Sequence, residues 1–120
     1  MDWNFRNDQP IYSQIIEQIK LAIVSGVFKP GERLVSVRDM AMEAGVNPNT
    51  MQRALTELER DGLAQSMGTT GRMVTRNQEI VDQLREKAAK AVVERYLDSM
   101  KKLGYTAAEA AKVLEDWSYE

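Results

Sequence analysis

Apolar positions recur at helical spacing in three separate stretches of the first sixty residues. Tyr12, Ile15, Ile16, Ile19, Ala22 and Ile23 share one face of a 3.6-residue period. Pro10 suits the first turn of that helix, where a missing N–H costs nothing, and Gly26 can take the left-handed conformation that stops it. Pro30-Gly31 is a type II turn signal leading into a short extended segment at Leu34-Val35. A second helix opens at Ser36, with Ser36 and Asp39 in capping-box spacing, Asp replacing the usual Glu. Val37, Met40, Ala41 and Ala44 line its inner face, and Gly45 ends it. Only Gly45-Val46-Asn47 separate it from a third helix, where Asn47 is the N-cap and Pro48 the first helical residue. Met51, Ala54, Leu55 and Leu58 form the apolar stripe of this helix. Gly62 closes it, and its opposite face carries Asn49, Gln52, Arg53, Thr56 and Arg60.

Two short strands follow, 63–67 and 72–75, with Gly68-Thr69-Thr70-Gly71 as the turn between them. From Gln78 to Leu103 there is neither Pro nor Gly, and Ile80, Leu84, Ala88, Ala91/Val92, Tyr96, Met100 and Leu103 make a near-heptad stripe. Gly104 stops it. Thr106 and Glu109 form a full capping box for a last helix, whose buried face is expected at Ala107, Ala110, Ala111, Leu114 and Trp117. The fold expected is mainly α with a small β-hairpin. A winged helix-turn-helix occupies residues 1–77, and a C-terminal helical hairpin occupies 78–120.

Composition narrows the chemistry. The 120 residues include no Cys and no His. This removes disulfides, thiolate and imidazole metal ligands, and any triad built on a Cys nucleophile or a His base. Neighbouring carboxylates such as Glu57 with Glu59, or Glu115 with Asp116, have no complementary group in a motif and read as solvated surface. We expect no enzyme, no cofactor and no metal. No apolar run reaches the ~18 residues of a membrane span, and the polar start MDWNFRNDQP is not a signal peptide, so the expected compartment is the cytoplasm. Net charge is -2. Residues 1–77 carry nine basic and nine acidic residues, and the acidic surplus falls in 78–120. Bulk charge therefore cannot attract a polyanion, and nucleic-acid binding has to rest on a few placed groups.

The third helix is built for that. Two helices joined by a short Gly-containing turn form a helix-turn-helix, and the N-terminal residues of its second helix meet base edges in the major groove. Asn and Gln can pair bidentately with adenine, Arg with guanine. Asn49, Gln52 and Arg53 occupy the outer face of the first two turns. Thr50 and the free N–H groups of the helix start can donate to phosphate.

These segments resemble the GntR family of bacterial transcription regulators. The resemblance runs through Pro10-Ile11-Tyr12 with Gln14-Ile15, Pro30-Gly31-Glu32-Arg33-Leu34 and Ser36-Val37-Arg38-Asp39-Met40-Ala41. It continues through Gly45 to Met51, Arg53-Ala54, Leu58-Glu59 and Asp61-Gly62-Leu63. The short two-helix tail is similar to that of the YtrA-type subfamily. The resemblance implies a homodimer on a double-stranded DNA operator, commonly of a transport operon. It implies DNA contacts from Ser36 and Arg38, from Asn47, Asn49, Thr50, Gln52 and Arg53, and from a wing tip at Gly68, Thr69, Thr70, Gly71 and Arg72. This wing departs from the family pattern: Thr69 stands at the first Gly position and Met73 replaces an aromatic, so the neighbouring Gly68 is left to make the tight turn.

The stripe from Ile80 to Leu103 is expected to find a partner beyond its own winged helix. A helix over 78–103 runs ~39 Å at 1.5 Å per residue, longer than such a domain is wide, and a second copy is the economical partner. The dimer seam is expected at Ile80, Leu84, Ala88, Val92, Tyr96, Met100 and Leu103, widened by Leu114 and Trp117. Trp3 and Phe5 read as an N-terminal arm laid over the winged helix or the partner's tail. A rival reading is a winged-helix adaptor that binds protein. Such an adaptor would show apolar or acidic residues on the outer face of the third helix, where this chain shows Asn, Gln, Thr and Arg. The residues name neither the operator nor a small-molecule effector.

Overall fold

The computed structural model describes residues 1–117; the last three residues of the expected tail segment, 118–120, lie outside it. The described residues form five helices and one antiparallel hairpin: α1 Ile11–Val24, α2 Val37–Ala44, α3 Pro48–Arg60, β1 Ala64–Ser66, β2 Arg72–Val74, α4 Gln78–Lys102 and α5 Ala107–Glu115. Two compact units divide between Leu84 and Arg85, so the first two turns of α4 lie with the first unit. No helix among the described residues is long and apolar enough to cross a membrane.

In the first unit the three apolar stripes converge. Ile15, Ile16, Ile19 and Ile23 of α1 meet Met40 and Ala41 of α2 and Met51, Ala54, Leu55 and Leu58 of α3. Leu63, Ala64 and Val74 of the hairpin close the core, with Val81 from the start of α4. Local chemistry sets the helix ends. Pro10 is the N-cap of α1 rather than a first-turn residue, because its backbone is still extended (φ -57°, ψ 136°). Ser36 accepts from the Asp39 amide, as its spacing predicts. Asp39, one methylene shorter than Glu, makes no return bond among the described residues.

The turn before α2 forms as expected. The Glu32 amide donates to the Lys29 carbonyl at 3.0 Å, and Gly31 takes φ +78°, a conformation L side chains rarely adopt. A Cβ there would also come within 2.6 Å of Arg76 Nε. The extended segment that follows joins the hairpin edge: Leu34 N–H donates to Arg72 O and Val74 N–H to Glu32 O, with an antiparallel bridge between Arg33 and Met73.

The hairpin pairs Ala64 with Val74, Gln65 with Met73 and Ser66 with Arg72. It is shorter than the expected 63–67 and 72–75, but single bonds continue it at both ends, Thr75 N–H to Leu63 O and Met67 N–H to Gly71 O. The tip is one 3-10 turn over Gly68–Thr70. Gly68 carries φ +66° and Gly71 φ +104°, so Gly68 makes the tight turn although Thr69 stands next to it.

The N-terminal arm lies on α1. The buried Gln14 side chain accepts from the Arg6 amide at 2.8 Å and donates to the Arg6 and Gln9 carbonyls at 2.9 Å each. One turn later, Gln18 accepts from Asn4 N–H and donates to Asn4 O. Trp3 and Phe5, stacked at 5.8 Å, pack against the core.

The second unit is thinly covered. Thr106 and Glu109 make both halves of the capping box, and the Tyr96 hydroxyl of α4 donates to the Ala110 carbonyl of α5 at 2.8 Å. Of the face expected to be buried on α5, only Ala110 is; Ala107, Ala111, Leu114 and Trp117 are exposed. The side of α5 that is covered runs instead through Ala110 and half-buried Val113, which the apolar spacing does not single out.

Candidate nucleic-acid interface

α3 is aimed by its cap. Asn47 Oδ1 accepts from the Asn49 amide at 2.8 Å, which fixes where the helix starts and leaves the Asn47 amide nitrogen to donate outward. Pro48 then removes one of the N–H groups that a helix start leaves unbonded. Burial of Met51, Ala54, Leu55 and Leu58 turns the opposite face to solvent. Asn49, Gln52 and Arg53 are exposed there, and Thr50 is half-buried beside them. Gln52 Nε2 reaches Thr56 Oγ1 only at 3.4 Å, too long to hold the amide firmly. Arg53 lies with its guanidinium carbon 4.0 Å from the centre of the Tyr12 ring.

The wing tip and the start of α2 face one groove of about 480 Å³, lined by Arg33, Leu34, Val35, Ser36, Asp39, Thr69, Thr70 and Gly71. The structure thus gathers Ser36 with Thr69, Thr70 and Gly71, four of the expected residues. Gly68 stands exposed at the tip, and Arg38 is exposed on α2. Arg72 is placed differently. Its Nε pairs with Glu59 of α3, and the two side chains are only 17% and 27% exposed.

Pairing sorts the cations of this unit. Arg6 pairs with Asp8, Arg60 with Glu57 and Arg72 with Glu59. Among the described residues, Lys20, Lys29, Arg33, Arg38, Arg53 and Arg76 have no ion-pair partner; three of them, Arg33 in the wing groove, Arg38 on α2 and Arg53 on α3, stand exposed beside the expected contact residues. Arg33 is absent from the expected contact residues. The signal was present in the extended segment, where buried Leu34 forces its neighbour outward.

The seam expected in the tail divides. Ile80 and Leu84 are half-buried against the core of the first unit, because Val81 between them is anchored in it. Further along, Ala88 is exposed, and Tyr96 and Met100 are half-buried. Val92, Leu103, Leu114 and Trp117 are 55%, 72%, 59% and 63% exposed. These apolar side chains have no cover within the chain.

With this geometry in place, similar proteins are informative. The model of the bacterial regulatory proteins of the gntR family matches residues 11–74. The HTH-type transcriptional regulator YhcF of Bacillus subtilis (strain 168) is 41% identical over 109 residues, 91% of this chain and 90% of that protein. The HTH-type transcriptional repressor YtrA of the same organism is 42% identical over 72 residues, 60% of this chain and 55% of its own. A solved GntR family transcriptional regulator from Listeria monocytogenes superposes with a TM-score of 0.85 at 33% identity, over 95% of this chain and 100% of that one. These relatives are regulators, not enzymes.

Proposed function

Since the chain belongs to the GntR family of bacterial regulatory proteins, we propose that it is a homodimeric, cytoplasmic transcriptional repressor of a transport operon, bound to an inverted-repeat operator. The observation that carries this reading is the outer face of α3, where Asn49, Gln52 and Arg53 stand exposed around a capped and solvent-open helix start. Asn47, Asn49, Thr50, Gln52 and Arg53 enter the major groove, Gln52 and Arg53 reading bases. Ser36 and Arg38 hold phosphate or sugar, and the wing tip Gly68–Gly71 follows the adjoining minor groove. Residues 1–77 supply this interface.

Residues 78–120 supply the dimer. The uncovered stripe through Ala88, Val92, Tyr96, Met100, Leu103, Leu114 and Trp117 closes on the same stripe of a second copy, an isologous pairing. A two-fold axis then relates the two α3 helices, so the half-sites lie in inverted orientation about one helical turn, ~34 Å, apart.

Selection of binding sites from random DNA, followed by footprinting and sedimentation of the protein, tests both parts. The expected result is a palindromic site protected by one dimer. Protection of a single asymmetric half-site, or sedimentation as a monomer at micromolar concentration, would overturn it.

A further inference from the structure

We propose that Tyr12 is a positioning residue for operator recognition: its ring holds Arg53 in the conformation that meets DNA. The inference rests on the DNA-binding reading above and adds to it a residue outside the recognition helix. Tyr12 lies in the first turn of α1 and is half-buried against the core, so its ring is fixed by packing. The Arg53 guanidinium carbon sits 4.0 Å from the ring centre, well inside the ~6 Å within which an aromatic face attracts a cation. No other side-chain partner engages Arg53 among the described residues.

The choice of partner matters chemically. A carboxylate could also fix an arginine, as Glu59 does for Arg72, but it would use the N–H donors and neutralise the charge that a nucleic acid needs. A ring takes only one face of the planar guanidinium. The five N–H groups point outward in its plane and stay free for a bidentate contact with guanine or phosphate. A loose Arg side chain would lose its rotamer freedom on binding, whereas a stacked one has lost part of it beforehand. That difference, about 0.5–1.5 kcal/mol for an immobilised side chain, corresponds to a change in operator affinity of about 2- to 12-fold.

The test uses the full chain and the operator that it selects, with affinity read by fluorescence anisotropy. Tyr12→Phe keeps the ring and removes the hydroxyl, and is expected to bind within about twofold of the unsubstituted chain, since the face that attracts the cation remains. Tyr12→Leu removes the ring, keeps an apolar side chain, and is expected to bind about 2- to 12-fold more weakly. In an Arg53→Ala background, Tyr12→Leu should add no further loss, an outcome that a general weakening of α1 would not give. Three results would overturn the inference alone while the unsubstituted chain still binds its operator: equal affinity for Tyr12→Leu, an equal loss with and without Arg53, or a Tyr12→Phe loss as large as that of Tyr12→Leu. Failure of the unsubstituted chain to select any operator would overturn the DNA-binding reading and this inference with it.

Discussion

Arg72→Met separates two roles that one residue of the wing could play. In the free chain Arg72 sits at the start of β2, opposite Ser66, and reaches across to Glu59 on α3. The pair therefore ties the wing to the recognition helix. Its energy follows from its burial. Exposed ion pairs contribute about 0–1 kcal/mol, and breaking a fully buried one costs about 3–5 kcal/mol. With side chains 17% and 27% exposed, this pair falls between those limits, nearer the lower, at about 1–2 kcal/mol. Met retains the length of the aliphatic stem, so the loss reports the charge more than the packing. Urea unfolding should show the midpoint falling by about 0.5–1 M, taking a slope near 2 kcal/mol/M. The salt dependence of operator binding then assigns the role. If Arg72 stays on Glu59 in the complex, log affinity against log salt keeps its slope; if it crosses to a phosphate, the slope shrinks by about one. We expect an unchanged slope. An unchanged urea midpoint with a slope smaller by about one would refute the stapling role.

Gln14→Leu removes three hydrogen bonds between α1 and the arm and is expected to cost about 1–3 kcal/mol, at about 1 kcal/mol or less per bond. In a Trp117→Phe background, where Trp3 is the remaining Trp, its fluorescence should shift to the red as the arm lifts, and an unshifted emission would show that the arm is held otherwise. Glu109 tests the α5 cap by pH: the Thr106 backbone and hydroxyl bonds hold its carboxyl below the ordinary value of 4.5. The capping contribution is therefore complete above the unfolded value and is lost as pH falls through the lower folded one. Thr106 and Glu109 amide shifts in the full chain should titrate together below pH 4.5, and a titration at or above that value would refute the cap.

Local punctuation made α2 and α3 legible in the sequence. Asn47-Pro48 fixes where α3 starts, and the spacing of Met51, Ala54, Leu55 and Leu58 fixes which way it faces; both appear in the fold as the residues dictate. Short-range chemistry also placed the type II turn at Pro30-Gly31 and the capping box at Thr106. Periodicity was less informative on α5. It identifies the residues that share a side of a helix, but not whether anything lies against that side. Ala110 is covered within the chain, whereas Leu114 and Trp117 are left open. Ile80 and Leu84 sit in the same stripe as Val92 and Leu103, yet the first two pack on their own core and the last two do not. A stripe can run past the end of a compact unit and lose its cover without any change in the pattern.

The candidate interface shows the same division between what a helix dictates and what the tertiary fold adds. The outward direction of Asn49, Gln52 and Arg53 follows from the buried stripe of α3 alone. The state of each arginine does not, because it depends on residues far along the chain. Arg72 meets Glu59, thirteen positions away, and Arg53 meets Tyr12 on another helix. Over residues 1–77 the charges balance, so a polyanion can be held there only where the fold leaves cations unneutralised. Pairing in the free chain engages Arg6, Arg60 and Arg72 and leaves six of the nine cations: Lys20, Lys29, Arg33, Arg38, Arg53 and Arg76, of which Arg33 lines the wing groove, Arg38 lies on α2 and Arg53 on α3. A few unpaired charges give a shallow non-specific attraction, since affinity for random duplex scales with the number of phosphates neutralised. The free energy that distinguishes an operator must then come from base contacts, and those contacts require side chains already held in place. Stacking Arg53 on a ring supplies that order while leaving both its charge and its donors available.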